Sequence, residues 1–260
     1  MNLPLVSILM TAYNRELFIA EAIESVLASS YNNFELIIVD DASVDNTAKI
    51  AKRYFETDQR IKLFVNEINK GQFKNRNIAA SYASGKYLKY VDSDDVIYPN
   101  SINMMVNAME AFPDAGLAFC LTHGPCKKPL PYIIYPEEAL EQHFFGGGLL
   151  FCGPSGLIFK KTVFEMVGGF EEFGMPSDNH CTLKIATKFP VVAVNRDLFW
   201  WRQHPQQVFS MNMGNHLNIF FNYSYIKSIM DHAHLSLKQK KLIMRNQKKI
   251  FFYKYFKTRS

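Results

Sequence analysis

Phe34-Glu35-Leu36-Ile37-Ile38-Val39-Asp40-Asp41 is an apolar run that stops abruptly in two carboxylates. Its unbroken β-branched centre predicts a strand over 34–39 buried on both faces. Upstream, Val6-Ser7-Ile8-Leu9-Met10 has the same character. Between the two runs, Ile19, Ala20, Ile23, Val26 and Leu27 recur at helical spacing, with Glu21 and Glu24 interposed. Downstream, Ser43 reads as the cap of a helix over 44–54. Ile61–Val65 reads as a third strand, 75–83 as a short helix, and Tyr87–Val91 as a fourth strand that ends in Asp92-Ser93-Asp94-Asp95. Strand and helix in strict alternation predict an α/β domain whose mainly parallel sheet is flanked by helices. Such sheets bind ligands beyond the carboxyl ends of their strands. Three polar clusters fall there: Thr11-Ala12-Tyr13-Asn14, Asp40-Asp41 and Asp92 to Asp95.

The second half is less regular. A helix is expected from Pro99 to about Phe112. Residues 122–136 hold Pro125, Pro129, Pro131 and Pro136 and read as loop, and Gly146 to Gly156 is glycine-rich enough to bring backbone close to a ligand. Gly168-Gly169-Phe170 ends a helix, and Asp178 stands where it could cap the next, which runs to about Lys188. Val191–Val194 and Phe199–Trp201 read as strands, and helices are expected from about Asn215 onward. The organisation implied is a domain over 1–214, with halves at 1–112 and 113–214, followed by a basic helical extension at 215–260.

The chain has 260 residues, 48% of them hydrophobic, which suits a sizeable core rather than disorder. Its net charge of +5 is unevenly placed, because nine Lys or Arg and no acid follow Asp231. The preceding body therefore carries 20 basic against 24 acidic groups, a net of −4, which speaks against a nucleic-acid partner. Met1-Asn2-Leu3-Pro4 lacks the basic start of a secretory signal. The weakly polar run Phe144–Phe159 is broken by glycines and a proline and is too short for a membrane span. Cys120, Cys126, Cys152 and Cys181 form no CxxC pair and read as reduced, mostly buried thiols. The expected location is cytoplasmic, with a peripheral place on the inner face of the membrane for the tail. There Lys238, Lys241, Arg245 and Lys248 share one helical face, and Leu237, Met244 and Phe251 recur on a neighbouring one. A basic amphipathic helix of this kind, residues 236–260, suits an anionic membrane surface or simply packs on the body with its lysines in water.

On an extended segment Asp92 and Asp94 face the same way. Two carboxylates at a strand end suit a hard cation, Mn2+ or Mg2+, that bridges substrate phosphates; the same residues also suit a solvated turn with Asp95 capping a helix. Asp40 and Asp41 suit either a turn and cap or acceptance of a hydrogen bond from a base or ribose hydroxyl. Lys70 and Arg76, around Gly71 and a helix start, could meet phosphate. Asp178 is a helix cap or a general base. Arg202 and His204 alternate on an extended segment and could reach one diphosphate, or remain surface structure.

As a set, these pieces resemble the family 2 glycosyltransferases, which have the GT-A fold with a Rossmann-like nucleotide-binding half and invert the anomeric centre. The matching text is Val6 to Asn14, Phe34 to Asp41 with Ala42-Ser43-Asp45-Asn46-Thr47, Asn69-Lys70-Gly71, Arg76-Asn77, Ala83 to Tyr87 and Asp92 to Asp95, in order over roughly residues 4–112. A looser match covers Gly168-Gly169-Phe170, Asp178 and Arg202-x-His204. The resemblance implies that Thr11, Ala12, Tyr13, Asn14, Asp40, Asp41, Lys70, Gly71, Arg76, Asp92 and Ser93 surround the nucleotide, with uracil at Asp40. It implies that Asp92 and Asp94 are the metal pair, Asp94 the more direct ligand, and that Arg202 and His204 contact diphosphate or metal. Asp178 would be the base, although Ser177 precedes it where the family usually has Glu. The donor implied is a nucleoside diphosphate sugar, UDP-sugar above others, and the acceptor a glycan or a lipid-linked saccharide in cell-surface polysaccharide or glycolipid synthesis. A nucleotidyltransferase acting on a sugar phosphate would want a glycine-rich basic loop where Thr11 to Asn14 stand. An inactive nucleotide-sugar-binding protein would not need Asp92, Asp94 and Asp178 intact. A dehydrogenase would want GxGxxG after the first strand. Oligomeric state is not legible from the sequence.

Overall fold

The computed structural model describes residues 3–122, 128–172, 177–205, 207, 216–233 and 235–257. Four parallel strands form its first half: β1 (Val6–Ala12), β2 (Phe34–Asp40), β3 (Ile61–Val65) and β4 (Tyr87–Tyr90). All seven residues of β2 are buried, as its two-sided apolar run requires. The crossovers are α1 (Ile19–Leu27), α2 (Thr47–Thr57) and α3 (Gln72–Ser81). Helix α1 buries Ile19, Ala22, Ile23 and Val26, one stripe at helical spacing. Ser43 does not cap α2. That helix starts later, at Thr47, and Asp45 Oδ1 accepts its first free amide at 2.9 Å.

Strand order in the large sheet is β3-β2-β1-β4 and then the strands Leu157–Lys160, Leu117–Cys120, Val191–Val194 and Tyr132–Ile134. The chain steps from β1 to β2 and β3 on one side and returns to place β4 on the other. The gap between the ends of β1 and β4 is thus a topological switch point, the place where a ligand crevice opens in such sheets.

The second half is mixed. It holds β5 (Val96–Ile97), α4 (Ser101–Ala111), β6 (Leu117–Cys120), β7 (Tyr132–Ile134), α5 (Pro136–Phe145), β8 (Leu157–Lys160), α6 (Lys161–Met166), α7 (Ser177–Ala186), β9 (Val191–Val194) and β10 (Phe199–Trp200). Strand β8 runs antiparallel to both β4 and β6, and β7 antiparallel to β9; the other six strands point one way. Part of the stretch read as loop is therefore strand β7, while residues 123–127, with Pro125 and Cys126, lie outside the described residues. Antiparallel β5 and β10 make a small second sheet over the switch point.

Helices α8 (His216–His232) and α9 (Leu237–Lys257) follow. Tyr225, Ile226, Ile229, Met230 and Ile243 belong to the same buried core as the sheet. Leu237 is 68% exposed, so Ile243 and Met244, not Leu237, seat α9 on the body; the side chain of Phe251 lies outside the described residues. No helix among the described residues is long and apolar enough to cross a membrane. Cys120, Cys152 and Cys181 are buried and unpaired.

Candidate active site

The polar clusters after β1, β2 and β4 meet at the switch point. Ser93 Oγ donates to Thr11 O at 2.9 Å and ties the end of β4 to the end of β1. Ala12 is buried, and its carbonyl accepts Asp41 N at 2.8 Å. Tyr13 is exposed. Asn14 takes a left-handed backbone, φ 51°, and its side chain accepts from Val44 N while its amide donates to Ser43 Oγ. Asp40 is almost fully buried; its Oδ2 accepts Ser43 N at 2.9 Å, and its Oδ1 has no hydrogen-bond partner among the described residues. Burial raises its carboxyl above the usual carboxylate range, with Asp45 and Asp41 adding to the effect against the Ser43 bonds.

Asp41 is occupied differently from the expectation. Its carboxylate accepts Asn66 Nδ2 at 2.7 Å, Lys70 N at 2.8 Å and Gly71 N at 3.0 Å. It thus moors the loop between β3 and α3, and Gly71, at φ 87°, lets that loop turn into the helix. Lys70 is left with its side chain exposed beside the rim.

Asp94 is the electrostatic centre. Its Oδ2 lies 3.0 Å from His204 Nε2 and 3.0 Å from Arg15 Nε. Arg15, which the sequence reading passed over, also donates to Tyr13 O and Asn14 O and so joins the β1 loop to the acid. The only advance signal was its position directly after Asn14. Arg202 is less free than expected of a diphosphate ligand. Its Nε donates to Asp94 O at 2.9 Å, its amide to Asp95 Oδ1 at 3.2 Å, and its NH2 pairs with Glu21 on α1. It also lies over the rings of Phe18 and Trp200. Gln207 bonds both Arg202 O and His204 N, which fixes the segment.

Asp92 faces the other way. Its Oδ1 lies 2.6 Å from Arg76 NH2, and the same guanidinium is 3.9 Å from Asp178 Oδ2. Arg76 is only 2% exposed; it lies between two carboxylates rather than open to a ligand. Asp178 opens α7 with a quarter of its side chain in solvent, and its Oδ1 has no partner among the described residues. Burial raises its carboxyl, and the Arg76 charge opposes that rise. Pro176, just before it, lies outside the described residues.

Two supports beneath the rim also escaped the sequence reading. Ser155 Oγ accepts Asp92 N at 3.0 Å. Buried Lys89 donates to Ser155 O and, at 3.0 Å, to Tyr90 O; burial pulls its ammonium down to about 8. Asp95 bonds the same serine, and burial with Asp92 and Asp94 beside it pushes its carboxyl up to about 7. At the start of α7, Asn179 Nδ2 donates to Leu150 O at 3.2 Å and Tyr225 OH donates to Asn179 Oδ1 at 3.0 Å. The glycine-rich loop and α8 are thereby both held against the start of α7. Gly147 and Gly148 turn that loop at positive φ.

The profile described as Glycosyl transferase family 2 matches residues 7–168. The chain belongs to this family. A glycosyltransferase of Haemophilus influenzae named only as uncharacterized is 40% identical over 109 residues, 42% of this chain and 44% of its own length. The Escherichia coli protein named UDP-Glc:alpha-D-GlcNAc-diphosphoundecaprenol beta-1,3-glucosyltransferase WfgD is 44% identical over 105 residues, 40% of this chain and 41% of its own. The matched stretch thus spans less than half of these curated relatives. Among solved structures, Staphylococcus aureus TarS 1–349 in complex with UDP-GlcNAc matches with a TM-score of 0.74 at 18% identity, over 97% of this chain and 72% of that one. A mannosyltransferase of Pyrobaculum calidifontis in complex with GDP-Man and Mn2+ matches at 0.71 and 17% identity, over 95% and 70%. The family 2 chain accordingly has the GT-A fold.

Asp94 and His204 fit a divalent cation. A carboxylate oxygen and an imidazole nitrogen already stand together at one point, facing the switch point and shielded by Phe18. Among the described residues no cluster of three His, Cys, Asp or Glu offers a closed shell, so a cation held there would take further oxygens from water or substrate.

Proposed function

We propose that this family 2 protein transfers a sugar from a nucleoside diphosphate donor, a UDP-sugar above others, to a hydroxyl of a glycan or lipid-linked acceptor. The observation that carries the reading is the joining of Asp94, His204, Asp92 and Asp178 at the switch point, through Arg15 on one side and Arg76 on the other. The donor would lie with its base toward Asp40, whose unpartnered Oδ1 suits an imide N–H, and its ribose and base edged by Thr11, Tyr13 and Asn14. Asp94 and His204 would hold Mn2+ or Mg2+. The chemistry such an ion would supply there is an offset of the charge that develops on the leaving diphosphate. Asp178 accepts the acceptor hydroxyl proton as that oxygen attacks the anomeric carbon, and a single displacement inverts the centre. Arg202 steadies the Asp94–Asp95 backbone. The exposed basic face of α9 suits an anionic membrane surface, where a lipid-linked acceptor resides.

Asp94→Ala should abolish the Mn2+-dependent part of UDP binding in isothermal calorimetry. Equal affinity in the variant and the parent, with Mn2+ present, would reject the site.

A further inference from the structure

Arg76 carries a full charge in almost complete isolation from water, and three distant pieces of sequence build its enclosure. Asn75 Nδ2 bonds Val39 O at 3.0 Å and Tyr90 OH bonds Arg76 O at 3.0 Å, which fix the first turns of α3 against the sheet. The rings of Phe73 and Phe170 lie 5.6 and 5.8 Å from the guanidinium carbon. Phe170 is locked in turn by Asn77, which donates to its carbonyl at 2.8 Å and accepts from its amide at 3.0 Å. Gly169, at φ 67°, has no room for a Cβ, which would fall 2.6 Å from Asn77 Oδ1. The Arg76-Asn77 and Gly168-Gly169-Phe170 motifs are one device, and what the device holds is a buried cation between Asp92 and Asp178.

We infer that Arg76 is a positioning residue, which couples the donor-side carboxylate Asp92 to Asp178 and keeps Asp178 ionised and ready to take a proton. The inference rests on the proposed transfer reaction. A carboxylate at the edge of a buried core loses its charge unless a cation faces it. The groups that face Asp178 are Arg76 from α3, Asp92 from the end of β4, Tyr225 from α8, Cys152 ahead of β8 and Cys181 from α7 itself. Burial pushes the phenol and both thiols up, so they stay neutral, and Asp92 is a second acid. Arg76 supplies the positive charge. Its 2% exposure and its pairing with both carboxylates fit a role played through Asp92 and Asp178 rather than by contact with donor or acceptor.

The test is the pH profile of UDP release from UDP-glucose and UDP-N-acetylglucosamine with Mn2+, water serving as acceptor, for the parent, Arg76→Lys and Arg76→Gln. Losing the cation raises the proton affinity of Asp178. The acid limb of Arg76→Gln should therefore move by about one pH unit or more toward alkali, which is about a tenfold loss on the limb. At high pH the rate should recover, and Arg76→Lys should restore most of the limb. UDP affinity should change little. A lowered plateau with an unmoved limb would make Arg76 merely structural, and a large loss of UDP affinity with an unmoved limb would make it a nucleotide ligand; either overturns the inference. If Arg76→Gln does not fold, Asp92→Asn decides: it leaves Arg76 to Asp178 alone, so the limb must shift toward acid, and a stationary limb overturns the inference. A parent that neither binds UDP nor releases it defeats the transferase reading, and the inference with it.

Discussion

Glu35 lies at the amino end of β2, far from the rim, yet it organises the opposite edge of the sheet. Its carboxylate takes Ser7 Oγ at 2.6 Å, Ser84 N at 2.7 Å and Lys62 Nζ at 2.6 Å. Burial alone would raise this acid, but the Lys62 and serine bonds win and hold it at about 2. A folded-state value below the unfolded one adds stability above the ordinary carboxylate range, lost as pH falls toward about 2. Glu35→Gln should cost roughly 1–2 kcal/mol near neutrality, discounted because half-exposed Lys62 is screened by solvent. The deficit should vanish in thermal unfolding at strongly acid pH. Gly85 beside it has no space for a side chain, since a Cβ would stand 2.6 Å from Ser7 N and 2.7 Å from Leu5 O. At this scale the sequence was informative where chemistry is intrinsic to the residue: acids ending a buried strand marked a polar rim, although Asp92 and Asp94, expected to face the same way, turn to different partners. It was silent where a role depends on who donates to whom. Asp40 and Asp41 are neighbours of one type, and only the fold reveals that Asp41 gathers three donors while Asp40 keeps a lone pair open.

Secondary-structure elements were legible in proportion to their periodicity. The strands Ile61–Val65 and Val191–Val194 coincide with their apolar runs, although only the second is buried throughout; the first is an edge strand with Ile61 alone fully buried. Strand β7 was missed, since Tyr132-Ile133-Ile134 is only three residues long and lies among prolines; its partner β9 stabilises it, not its own propensity. Helix α9 was expected as basic and amphipathic, and Lys238, Lys241, Arg245 and Lys248 are indeed all exposed. Ile243, 2% exposed, packs inward, so deleting the helix would uncover core. Replacing those four cations with Glu is the cleaner test of the membrane role. The variant should lose flotation with vesicles rich in anionic lipid while its melting temperature stays within a few degrees of the parent. Equal flotation of both proteins would count against a membrane role for α9.

For the molecule as a whole, the alternation of strand and helix predicted a parallel sheet, and that half follows it closely. The antiparallel insertion of β8 between β4 and β6 was not legible, because pairing partners are chosen by tertiary contact and not by local pattern. That insertion delivers Ser155 beneath Asp92, while Asp178 reaches the same corner from α7. Donor binding and transfer should separate in experiment. Asp178→Asn should retain UDP affinity and lose transfer by on the order of a hundredfold to ten-thousandfold, read as donor binding by calorimetry against product formation. Normal turnover in that variant would require another base.

Strand β5 has its one partner in β10, and Asp94 meets His204 across 110 positions of chain. An emerging polypeptide can lay down β1 to β4 from neighbouring segments, but the corner where Asp94 meets His204 stays half-built until the ribosome has delivered the last of these contacts. Completion of this corner is thus a late event in the life of each molecule, and a fragment halted before residue 199 would own Asp94 without the imidazole that pairs with it.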